Sequence, residues 1–76
     1  MFKEVSKISY NELLALKGKN VRFISDCEIF PNFDVSGKVL SLEFSNNENI
    51  FVVKTNGKII HIGSNMKNLK LEYLSK

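Results

Sequence analysis

The chain has one cysteine, one histidine, one proline and one arginine among its 76 residues, and each scarcity closes off a class of function. Cys27 has no partner, so no disulfide framework can form within the chain, and a reducing, intracellular setting follows. It also lies between Asp26 and Glu28, whose negative charges oppose the thiolate that nucleophilic chemistry needs. His61 stands alone, with no second ligand at a useful spacing, so no metal centre is expected. Asp26, Glu28 and Asp34 lack the dense ligand spacing of a calcium loop and read as a solvated acidic strand edge. Long apolar runs are missing too. Nothing at Met1–Val5 has signal-peptide length, and no stretch approaches the ~20 apolar residues of a membrane span, so a soluble, cytoplasmic protein without a membrane partner is expected.

No arrangement of serine, histidine and acid can be read for nucleophilic catalysis. The glycine-lysine pairs Gly18-Lys19, Gly37-Lys38 and Gly57-Lys58 do not complete the G-x-x-x-x-G-K-[ST] phosphate loop. A single domain covering 1–76 buries only about 60% of the surface its unfolded chain exposes, so its core serves stability and leaves little for a deep pocket. The expectation is a non-enzymatic binding module without cofactor or metal.

What is present is a regular alternation of turn signals and β-branched runs. The three glycine-lysine pairs fall 19 and 20 residues apart, and each reads as a turn feeding a strand. Strands are predicted over about 20–28, 36–44, 50–55, 58–62 and 69–74. Leu40, Leu42 and Phe44 alternate with Ser41 and Glu43, the period of a half-buried strand. Asn56-Gly57 is the strongest hairpin signal, because a type I′ turn needs positive φ at both central residues. It pairs Thr55 with Lys58, sets Val53 against Ile60 and Phe51 against Ile62, and leaves Val52 and His61 on the opposite face. A plain count back through a five-residue turn at Ser45–Asn49 sets Leu42 beside Val52, on the wrong face, so a bulge is expected near Ser45–Asn49, or a sheet curled enough to bury both faces. Pro31 makes Ile29–Asp34 a loop or edge excursion.

One helix is predicted, over 10–17. Ser9 and Glu12 have capping-box spacing, Ile8 and Leu13 have the spacing of a hydrophobic staple, and Lys17-Gly18 supplies a terminating cation and glycine. Two turns do not persist in water unpacked, so this helix is placed across one end of the sheet.

One short helix followed by a five-stranded antiparallel meander resembles the small barrels of the Src-homology-like and Sm-like type. The resemblance covers nearly the whole chain at the level of fold and implies a mainly β barrel. Met66-Lys67-Asn68-Leu69 is similar to the Met-Asn-Leu that ends the first Sm motif, but it carries one extra residue and leaves no room for the later strands, so the match is set aside. An oligonucleotide-fold barrel would need unusually short strands at this length.

The charge balance is 11 basic against 8 acidic residues, a mild +3 that fits solubility as readily as polyanion binding. Ten lysines, nine asparagines and seven isoleucines reflect the codon bias of an AT-rich genome. From Asn49 to Leu71 there is no acid, while Lys54, Lys58, Lys67 and Lys70 all occur there. These lysines are expected to surround one end of the barrel and neutralise phosphates, or else to form a solvated face. Phe30 and Phe33 flank Pro31-Asn32, where they can stack on bases, anchor a protein partner or plug the barrel. Two readings result. One is nucleic-acid binding through the lysines and the aromatic loop. The other is a protein-interaction or regulatory module, of the inhibitor kind that mobile elements encode, using the Phe30/Phe33 loop or an exposed strand edge. Homodimerisation fits either, because apolar residues on both faces of 50–55 leave a patch to cover.

Overall fold

A computed structural model describes residues 1–26 and 32–75. The chain is mainly β: strands β1 (Lys3–Glu4), β2 (Asn20–Ser25), β3 (Phe33–Ser45), β4 (Glu48–Thr55), β5 (Lys58–Gly63) and β6 (Lys70–Ser75), with a 3₁₀ turn at Val5–Lys7 and, among the described residues, one helix, α1 (Tyr10–Leu14). All pairings of these strands are antiparallel, and the six form one open sheet in the order β1-β6-β2-β3-β4-β5. The expected count of five strands omits β1, which is too short to leave a period in the sequence. The expected meander holds from β2 to β5, but β6 does not continue it past β5. It returns to pair with β2, setting Leu71 against Phe23 and Tyr73 against Val21.

The helix starts as its sequence dictates. Ser9 Oγ accepts the Glu12 N–H at 3.3 Å and donates to Glu12 Oε1 at 3.1 Å, which satisfies an orphan donor of the first turn. Leu13 is buried in the core and Ile8 packs against it. The regular helix ends at Leu14, three residues short of the expected Lys17, because Leu16 and Lys17 donate back to Leu13 and Leu14 and tighten the chain into 3₁₀-type turns. Gly18, at φ +84°, takes the left-handed conformation foreseen for it and donates its N–H to the Val39 carbonyl, which fixes the helix end to β3.

Both hairpins of the β3–β5 unit turn on asparagine. Asn56 and Gly57 have φ +50° and +78°, and the register of β4 on β5 is the one the Asn-Gly signal dictates. The polar stretch before β4 is not a five-residue loop. Asn46 and Asn47 alone make the turn, at φ +52° and +62°, with Ser45 directly opposite Glu48. Asparagine tolerates the left-handed region, so Asn-Asn serves where Asn-Gly would. With that tight turn Leu42 faces Phe51, and the irregularity falls at Leu40, between the Val39/Val53 and Ser41/Val52 pairs. The bulge is real but lies five residues or more before the segment expected to hold it. It lets Val39 and Leu42, an odd number apart, both face the core. Phe44, expected inside with Leu40 and Leu42, is 67% exposed, because it lies beyond the last core layer, opposite Asn49.

β3 also begins earlier than expected. Phe33 and Asp34, placed in the proline loop by sequence, are paired with Ser25 and Ile24. The loop residues Phe30 and Pro31 lie outside the described residues. Gly37-Lys38 is mid-strand rather than a turn. A Cβ on Gly37 would fall 2.5 Å from the Lys54 carbonyl oxygen and 2.7 Å from Val53 Cγ1, so the glycine permits a close approach between strands.

Thirteen residues of straight strand would extend about 40 Å, yet the longest dimension of the molecule is 30 Å. β3 must therefore bend sharply, and the bulge and Gly37 are where a strand bends at least cost. The curl brings Phe23 of β2 and Phe51 of β4 to a centroid separation of 5.0 Å across β3. Both are fully buried, together with Val21, Val39, Val53 and Ile62.

Gly37→Ala is expected to lower the unfolding free energy by about 1–3 kcal/mol through overpacking against β4. Gly18→Ala, strained but facing open space, should lose only the left-handed penalty of about 1 kcal/mol. Urea denaturation measures both, and an unchanged midpoint for Gly37→Ala would contradict the close approach.

Candidate functional site

Strand alternation divides the side chains between a buried inner face and an outer face. Val53 and Val39 point inward, so their neighbours Lys54 and Lys38 lie on the outer face, and the register sets them directly opposite each other. Their Cβ atoms are therefore about 5 Å apart. Both are exposed, and neither has an acidic partner among the described residues. The row continues to Asn20 on one side and Ile59 on the other, so no carboxylate interrupts it. Thr55 Oγ1 donates to the Ser36 carbonyl at 2.8 Å, which holds the β4–β5 hairpin against β3 beside this row.

The remaining cations of the outer face are compensated or distant. Arg22 makes a two-pronged contact to Asp34, Nε to Oδ1 at 2.9 Å and Nη2 to Oδ2 at 2.7 Å, with its guanidinium 5.4 Å from the centre of the Phe2 ring. The hydrogen bond from Arg22 holds the Asp34 carboxyl below the usual aspartate range, and the same contact lifts the arginine above its ordinary value. The N-terminal amine meets Glu72 at 2.7 Å and Lys7 meets Glu4 at 3.1 Å.

The lysines named from sequence separate into two groups. Lys54 and Lys58 flank the Asn56-Gly57 turn, Lys54 outward and Lys58 alternating to the other face at the hairpin tip, opposite Thr55. Lys67 and Lys70 lie past the far end of β5. The Lys67 carbonyl accepts from the Ser25 hydroxyl and the Asp26 N–H, and Lys70 pairs with Ile24. Four residues of β2, about 13 Å, separate the row of Lys70 from the row of Lys38. Lys38 was missed because it lies sixteen residues from Lys54 in the chain; an in-phase outward position on each of two adjacent strands was its only signal.

Phe33 is half-buried and packs against the core, so it is committed to the interior at the mouth of the sheet. Phe30 lies outside the described residues, as do Cys27 and Glu28. His61 is exposed opposite Val52. Among the described residues no three His, Cys, Asp or Glu side chains come together to hold a metal ion, and no helix is long and apolar enough to cross a membrane. A cleft of about 180 Å³ beside α1 is lined by Ile8, Leu16 and Leu71 with Lys3 and Glu12, a packing defect between helix and sheet with no convergent nucleophile. No protein-family model matches the chain, and no curated protein or solved structure matches it either.

The Arg22–Asp34 contact has a pH signature. Because the folded-state pKa of Asp34 is depressed, its stabilising contribution is complete above the ordinary aspartate value of about 3.9 and is lost as pH falls through the depressed one. Asp34→Asn should remove that acid-side loss from a stability-pH profile. Superimposable acid limbs in the two proteins would show the contact to be uncoupled from folding.

Proposed function

We propose that the chain is a non-enzymatic, cytoplasmic binding module, its curled sheet a small barrel of the Src-homology-like or Sm-like type, whose ligand is nucleic acid. The observation that carries the reading is the exposed Lys38–Lys54 pair. Like charges directly opposite on neighbouring strands destabilise a sheet, and a surface with no acid in that row gains by accepting an anion. Phosphate satisfies both ammonium groups, while Lys58, which leaves from the other face, offers a further cation at the hairpin tip. Lys67 and Lys70 form a second, separate contact region. The aromatic contribution falls to Phe30, since Phe33 is engaged with the core. The alternative, a protein-interaction or inhibitor module, is supported by the open β5 edge.

Fluorescence anisotropy against labelled single-stranded and duplex DNA and RNA tests the proposal. Affinity should fall about tenfold between about 50 and 200 mM salt if two phosphates are neutralised. Lys38→Gln/Lys54→Gln should weaken binding and flatten the salt dependence by about one unit of slope for each phosphate no longer neutralised. The same variant should unfold at an equal or slightly higher denaturant concentration, because a repulsion is removed. Absence of binding at low salt overturns the nucleic-acid reading and leaves the protein-partner one.

A further inference from the structure

The sheet ends in two unlike edges. One is β1, only two residues long, which blunts pairing by its brevity. The other is β5, six residues that contain no proline and no charge beyond Lys58 at its start, so the usual protections of a free edge are missing. The phase of its backbone is fixed. Ser64 N–H donates to the Asn49 carbonyl at 2.8 Å, continuing a ladder in which Lys58, Ile60 and Ile62 stand opposite Thr55, Val53 and Phe51. Even-numbered residues therefore bond across to β4, and the backbone groups of Ile59, His61 and Gly63 turn toward the open side. The Gly63 carbonyl accepts from Met66 N–H at 3.2 Å, which leaves its N–H and both groups of Ile59 and His61 facing no further strand among the described residues.

We propose that β5 pairs with β5 of a second copy, antiparallel about a twofold axis through His61. In that register the two His61 residues exchange N–H and carbonyl, and each Gly63 N–H reaches the partner's Ile59 carbonyl. Ile59, 59% exposed, falls opposite Gly63 of the partner subunit, and within each chain the Glu48 carboxylate folds over Gly63, so Ile59 meets that side chain. The pairing is self-complementary in two ways. Lys58 falls opposite the partner's Ser64, so the two lysines sit at opposite ends, whereas parallel pairing would oppose lysine to lysine. The contact is isologous and closes at two chains. This pairing does not depend on the nucleic-acid reading, and its test needs no nucleic acid.

Sedimentation equilibrium over a wide concentration range should give a species of twice the 8.7 kDa chain mass. Amide exchange at Ile59, His61 and Gly63 should slow as concentration rises. Ile59→Lys, at an exposed position, should raise the dimer dissociation constant about tenfold or more while leaving the circular dichroism spectrum unchanged. His61→Pro removes a donor that the single chain does not use and should have the same effect. A monomer at all concentrations, an assembly larger than two chains, or a dimer indifferent to both substitutions overturns the proposal.

Discussion

Phe23 and Phe51 touch although their strands are not neighbours. Phe23 stands opposite Val35 of β3 and Phe51 opposite Leu42, so in a flat sheet they would be two strand spacings, about 9.6 Å, apart across the sheet and about 23 Å apart along it. The observed 5.0 Å with planes tilted by 52° requires the sheet to fold around them. The contact is worth more than its area alone, since tilted aromatic pairs add about 0.5–1.5 kcal/mol to the burial of two large side chains. Everything inside the curl follows from it. Val39, Val53, Val21 and Ile62 close the same centre, while Val5, Leu13 and Leu69 cap it from the helix and the connections. Among the described residues the buried apolar side chains form one core, to which the short helix contributes Leu13.

The outer face inherits its chemistry from that arrangement. Once the inward positions of β3 and β4 are given to apolar side chains, the outward ones fall in phase, and two lysines come to oppose each other. Beside that pair on this face two cations are neutralised within the fold, Arg22 by Asp34 and the N-terminal amine by Glu72. Compensation in one place and none a few residues away distinguishes a surface that holds itself together from one with capacity for a ligand. Exposed ion pairs contribute little to stability, so the neutral region matters chiefly because it separates the lysines of the hairpin end from Lys67 and Lys70.

Much of this fold is legible in the sequence wherever a local signal has a single structural answer. Ser9 and Glu12 fix the helix start, and Asn56-Gly57 fixes a turn and with it the register of six residue pairs. Signals with several answers mislead. Gly37-Lys38 resembles the two glycine-lysine turns, yet its glycine serves a close approach between strands, a requirement imposed by residues sixteen and seventeen positions away. Asn46-Asn47 is a tight turn hidden in a polar run, and reading that run as a long loop moves the bulge to the wrong place. The candidate site suffers most. Lys54 and Lys58 are legible as part of an acid-free stretch, but Lys38 enters only through pairing, and Lys67 and Lys70 part from them because sequence proximity does not set distance in a sheet.

The extra residue at Leu40 separates two properties that strand patterns ordinarily tie together. In a regular strand, choosing which side chains face inward also determines how straight the strand runs, because both follow from the same alternation. Here the inward set changes parity between Val39 and Leu42, and the backbone turns at the same point. A single-residue deletion at position 40 would therefore leave every other side chain on its present face while straightening the ribbon that wraps Phe23 and Phe51. The curvature of this fold is thus encoded by chain length at one point, independently of the hydrophobic pattern, and shape can change there by insertion or deletion where composition cannot change it.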